Sequence, residues 1–150
     1  MITGTRFPET LMKLNRVASA FVAILLVAPA LFAAEDLTGK WSGTFVVSMN
    51  GGAPESEGAY MVLKHTGKEL TGTAGPSVDR QWPILKGTVT VSGTAPKETT
   101  KASFDVQDHG ASAPPLHFEL ELIDGHLKGN AKAEQDGMTM TAVLDLTRVK

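Results

Sequence analysis

Residues 116–134 read "LHFELELIDGHLKGNAKAE", and the order of apolar and polar side chains in this stretch decides the fold class. Leu116, Phe118, Leu120 and Leu122 fall on one side of a period-two alternation, with His117, Glu119 and Glu121 on the other. That is the pattern of a strand with one face in a core. Asp124 and Gly125 follow at once, and Asp-Gly supplies the pair of positive φ angles that a two-residue hairpin turn needs. The next run is therefore expected to return antiparallel, with Leu127, Gly129, Ala131 and Ala133 facing inward.

Working outward, the same alternation predicts eight strands, at about 39–49, 57–65, 68–74, 82–92, 101–107, 115–123, 126–134 and 138–148. The stretches between them, such as "NGGAPES", "HTGK", "GPSVDRQ", "SGTAPKETT" and "DHGASAPP", are rich in Gly, Pro, Asn and Asp. None is long enough for a crossover helix, so each strand pairs with its sequence neighbour in a meander. Pro83 cannot donate to a ladder and Gly87 points to a bend or bulge, so the fourth segment is either irregular or two short strands. Eight antiparallel strands with one apolar face bury it by closing into a barrel or by folding into a sandwich. Small inward residues, among them Gly43, Ala59, Gly72, Ala74, Gly129, Ala131 and Ala142, permit the strong coiling that closure demands and favour the barrel. The predicted class is all-β, an eight-stranded antiparallel up-and-down barrel. An echo of "LTGK", "LTGT", "LKGT" and "LKGN" at Leu37, Leu70, Leu85 and Leu127 marks strand edges where a neighbour needs space.

The N-terminus follows different rules. Lys13 and Arg16 precede "VASAFVAILLVAPALFAA", and small residues stand before Glu35 and Asp36. This order of basic, apolar and small-residue regions predicts a signal peptide helix over residues 1–34, cut after Ala33 or Ala34, with Met12 as an alternative start. Pro29 and the shortness of the apolar run argue against a membrane anchor. The mature domain, 35–150, keeps 11 of the 14 Lys and Arg and 15 of the 16 Asp and Glu. That negative balance gives no electrostatic reason to bind nucleic acid. The chain contains no cysteine, so it carries neither disulfides nor a lipid-anchor thiol. A bacterial secreted or periplasmic location, with no membrane anchor after cleavage, is the expectation.

"GKW" at the first strand and "LTRVK" at the end of the last resemble the calycins, the superfamily of lipocalin-type, fatty-acid-binding and avidin-type barrels. The resemblance implies a barrel whose floor holds Trp41, reached through Gly39 and covered by Arg148. An arginine stacked on an indole would add about 0.5–2 kcal/mol at the closing seam. The wording "LKHTGKELTGTAG", "WPILKGTV" and "LIDGHLKG" is also similar to small exported proteins of environmental bacteria.

With Trp41 at the floor, the loops after the first, third, fifth and seventh strands fall at the opposite rim. Inward residues near that rim make up the candidate ligand site: Met49, Met61, Trp82, Phe104, Phe118, Met138 and Met140. No predicted inward position there carries a charge, so the expected ligand is small and apolar. His65, His109, His117 and His126 lie on different segments without paired ligand spacing; they read as surface histidines, and neither a metal nor a cofactor is expected. Asp105, Asp108 and His109 in "DVQDH" form the one acid and histidine cluster at the rim, without an accompanying nucleophile. The leading reading is an exported, non-enzymatic barrel that binds or carries a small apolar ligand. Two alternatives stay open: a filled barrel acting through its rim loops on a secreted or periplasmic protein partner, and a barrel enzyme using the rim Asp and His residues.

Overall fold

The computed structural model describes residues 34–94, 96–107 and 113–150. Residues 1–33, which carry nearly all of the predicted signal peptide, lie outside the described residues, as do Asp108 and His109. Eight strands follow in order: β1 (Gly39–Met49), β2 (Glu55–Thr66), β3 (Glu69–Ser77), β4 (Arg80–Ser92), β5 (Thr99–Val106), β6 (Leu116–Ile123), β7 (His126–Gln135) and β8 (Met138–Arg148). Each pairs antiparallel with its sequence neighbours, and β1 pairs with β8, so the sheet closes into a barrel without a free edge.

The Asp-Gly turn works as the sequence requires. Asp124 and Gly125 take φ of 51° and 79°, and Leu122 faces Leu127 across the hairpin. Asp136 and Gly137 repeat the device between β7 and β8. β4 is a single strand, not two. Its irregularity is concentrated at Lys86, where φ is 51° and the ladder to β5 shifts between Leu85 and Thr88. Pro83 is tolerated opposite Thr73, between the two register shifts of the β3–β4 ladder.

The glycine echo also finds a physical reason. A Cβ on Gly72 or Gly129 would lie 1.9–2.0 Å from a carbonyl oxygen of the adjacent strand, so only glycine allows the backbones to approach there.

The half of the barrel around Trp41 is solid. Trp41, Leu63, Leu70, Val89, Phe104, Leu120, Leu127 and Leu146 are all buried. The end is sealed by a strap, residues 34–38, that precedes β1. Leu37 is fully buried beneath the barrel, its carbonyl accepts from Trp41 Nε1 (3.0 Å), and Ala34 packs against the same core. Glu35 N–H donates to Thr100 Oγ1 (3.0 Å), which ties the strap to β5. His65 takes the other side: Leu37 N–H donates to its Nδ1 (3.3 Å), and its Nε2 donates to the Gly67 carbonyl (2.8 Å). With its side chain only 6% exposed, His65 is not a surface histidine, because it supplies hydrogen bonds to strap and turn backbone that would otherwise be unpaired.

Candidate functional site

The two ends of β1 place different residues, and the floor end comes first. β1 begins opposite the end of β8, with Trp41 facing Arg148. The guanidinium carbon of Arg148 stands 4.4 Å from the centroid of the Trp41 ring. Arg148 Nη1 donates to the Thr38 carbonyl (2.6 Å), and Nη2 donates to the Asp36 carbonyl. Gly39, at φ 141°, leaves the space that Arg148 occupies, since a Cβ there would lie 3.1 Å from Nη1. Gly39, Trp41 and Arg148 thus pin the closing seam and the strap together.

At the other end the barrel is hollow. A cavity of about 750 Å³ opens at the rim. Six of its apolar residues define its shape: Phe45, Met61, Trp82, Leu116, Phe118 and Leu144. Period two explains the convergence, because alternate residues of each strand point inward. Volume explains the hollowness. Around the rim the inward positions include Ala59, Ala74 and Ala133, which are too small to meet across the lumen.

Of the seven residues expected in the site, the structure brings six to the cavity wall: Met49, Met61, Trp82, Phe118, Met138 and Met140. Phe104 is the exception. It is buried and stacks on its cross-strand partner Phe118 with ring centroids 4.9 Å apart, so it backs a wall residue and does not itself line the cavity. Met49 and Met138 stand at the lip, each about half exposed.

Sequence reasoning missed three kinds of lining residue. Phe45 lies 6.5 Å from Phe118, centroid to centroid, and shares the inward parity of Trp41 and Gly43, so period two alone could have found it. Pro76 and Pro114 come from the rim connections, where no periodicity applies. Glu57 and Arg80 line the mouth as well, so the expectation of an uncharged lining is corrected. The apolar walls are as expected, but both signs of charge stand at the opening. Arg80 is held over Trp82, its guanidinium carbon 5.8 Å from the ring centroid.

Side-chain hydrogen bonds brace the rim. Thr73 Oγ1 donates to Gln81 Oε1 (2.6 Å), and Gln81 Nε2 donates to the Val78 carbonyl (2.8 Å), fixing the β3–β4 turn. Asn50 Oδ1 accepts from Thr139 N–H (2.8 Å), tying the β1–β2 turn to β8.

The remaining ionisable pairs lie on the outer face. His117 Nδ1 is 2.6 Å from Asp105 Oδ1, and Nε2 is 3.3 Å from Glu119 Oε1. The hydrogen bond to Asp105, helped by Glu119 and opposed by partial desolvation, raises the His117 pKa above its usual value. Asp105 is thus engaged on the outside of β5, while its neighbour Val106 lines the cavity. On β7 and β8, His126 Nδ1 lies 2.7 Å from Asp145 Oδ1. That hydrogen bond, with Lys128 nearby, lowers the Asp145 pKa.

In comparisons with known proteins, no family model, no curated protein and no solved structure matches the chain. The strand pairing defines the class: an all-β, eight-stranded, antiparallel closed barrel.

Proposed function

We propose that this protein is an exported, non-enzymatic barrel of calycin type that binds or carries one small, largely apolar molecule in its mouth-side cavity. The observation that carries this reading is the contrast of volume within one barrel. The floor half is filled with side chains, whereas the mouth half leaves about 750 Å³ with an apolar lining. Small-molecule sites typically occupy about 300–1,000 Å³ and bury most of the ligand against apolar walls with a few polar groups at defined points. Phe45, Trp82 and Phe118 supply flat apolar surface, while Glu57 and Arg80 are placed to meet a polar end at the opening.

Native mass spectrometry of protein purified from its own host tests the reading. A co-purified small molecule that is lost from Ala133→Trp, a change that narrows the lumen, is the expected result. A clean apo mass, together with no uptake of an uncharged apolar dye, would sink it.

A further inference from the structure

We propose that the lip of the barrel is also a binding site for a thiophilic monovalent cation of the Cu(I) class, held by the thioethers of Met49, Met138 and Met140. This inference does not rest on the apolar-ligand reading, since it concerns a different ligand on the lip of the same cavity.

Two observations carry it. The first is where the methionines are. Each of the four methionines among the described residues lines this one cavity, and three of them share its lip. Met49 and Met140 are direct cross-strand partners of β1 and β8, a pairing that places Cα atoms about 4.5–5.5 Å apart with both side chains on one face. Met138 points the same way two residues earlier on β8, about 6.8 Å along the strand. A methionine side chain has three rotatable bonds before its terminal methyl and adapts readily to irregular surroundings, so the three sulfurs can converge on one point. Met49 and Met138 are each 52% exposed. Packing alone does not require that exposure, and it leaves their sulfurs open to an ion arriving from solvent.

The second observation is charge. The described residues of the mouth half carry six carboxylates, Glu55, Glu57, Asp79, Asp105, Glu134 and Asp136, against the two cations Arg80 and Lys132. The rest of the described chain is close to neutral, with eight carboxylates and nine Lys or Arg. The net negative charge of the described residues therefore falls in the mouth half, where carboxylates outnumber Arg80 and Lys132, and that excess raises the local concentration of cations.

Donor chemistry then chooses the ion. Among the described residues, no three His, Asp or Glu side chains group as a harder metal would require. Neutral thioethers favour soft Cu(I) over Zn(II), Mg(II) or Ca(II).

The test uses the barrel with 13C-labelled methionine ε-methyls, titrated with Ag(I) as the air-stable probe and followed by NMR. The Met49, Met138 and Met140 methyls are expected to shift together and saturate, the deeper Met61 to shift least, and Zn(II) to shift none. The triple variant Met49→Leu/Met138→Leu/Met140→Leu keeps the side-chain volume. It should unfold at the wild-type temperature, yet bind Ag(I) about 100-fold or more weakly, beyond the loss typical of an outer-shell change. Unshifted lip methyls, or a triple variant that binds Ag(I) as the wild type does, would overturn the proposal. Wild-type protein that binds Ag(I) but takes up no uncharged apolar dye would remove only the apolar-ligand reading.

Discussion

The two ends of this barrel are built from the same strands, yet one is packed and the other hollow. At the floor, Trp41 and Leu37 are fully buried, and Arg148 lies across the indole with its Nη groups on strap carbonyls. At the mouth, Met49 and Met138 stand half exposed around an open lumen. An eight-stranded barrel has an interior just wide enough for side chains to fill or for one small ligand to occupy, and this barrel is filled with side chains at its floor and hollow at its mouth. The difference teaches that residue size at inward positions, and not strand number, decides where a small barrel keeps its space.

The comparison can be broken most forcefully at the floor. Trp41→Ala removes the largest buried side chain and should cost about 3–5 kcal/mol, as large-to-small aromatic truncations in cores do. Denaturant unfolding measures it, and an unchanged midpoint would contradict the floor assignment. Leu37→Ala should follow at about 2–4 kcal/mol, which would show that the strap is part of the core and not a trailing end. Arg148→Gln, read by the same method, should cost about 1–2 kcal/mol from the lost stacking and the backbone hydrogen bonds.

The mouth should respond in the opposite way. Met138→Ala, at a half-exposed lip position, is expected to change stability by no more than about 0.5 kcal/mol, while weakening the uptake of an apolar dye. A mouth variant as destabilising as the floor variants would erase the contrast.

The smallest effect belongs to the outer face. Hydrogen bonding raises the folded pKa of His117 above 6.5, so its contribution to stability is fully present below about pH 6.5. That contribution is lost as pH rises through the raised folded value. Asp105→Asn should flatten this part of the stability profile, as followed by thermal unfolding at stepped pH. Asp145 works in the other direction: its folded pKa lies below 3.8, so its contribution is present above 3.8 and lost as pH falls through the lowered value.

Much of this architecture was legible because it is encoded locally. Strict alternation in Leu116–Ile123 gave β6, and Asp124-Gly125 gave its hairpin. Glycine at 39 with tryptophan at 41, and arginine at 148, pointed to the closing seam through the resemblance to calycin barrels, and β1 does pair with β8 there. The strap was not legible. Residues 34–38 have no periodicity, and the burial of Leu37 depends on His65 and Thr100, which are 28 and 65 residues away from their strap partners.

The candidate site was legible in its membership but not in its depth. Parity identified the inward methionines, Trp82 and Phe118 but passed over Phe45, and only the three-dimensional stacking reveals that Phe104 is covered by Phe118. The charged opening escaped for a related reason. Arg80 stands at the very start of β4, just after a turn, where alternation has not yet begun to constrain direction.

The central claim, a solid floor beneath a cavity that accepts an apolar molecule, is tested most directly by fluorescence titration with an uncharged apolar dye. Wild type is compared with Ala133→Trp, which narrows the lumen, and with Leu37→Ala, which loosens the floor. The expected result is saturable binding to wild type, loss of that binding in Ala133→Trp with the unfolding midpoint retained, and preserved binding in folded Leu37→Ala. Absence of saturable binding to wild type, or undiminished binding to Ala133→Trp, would contradict it.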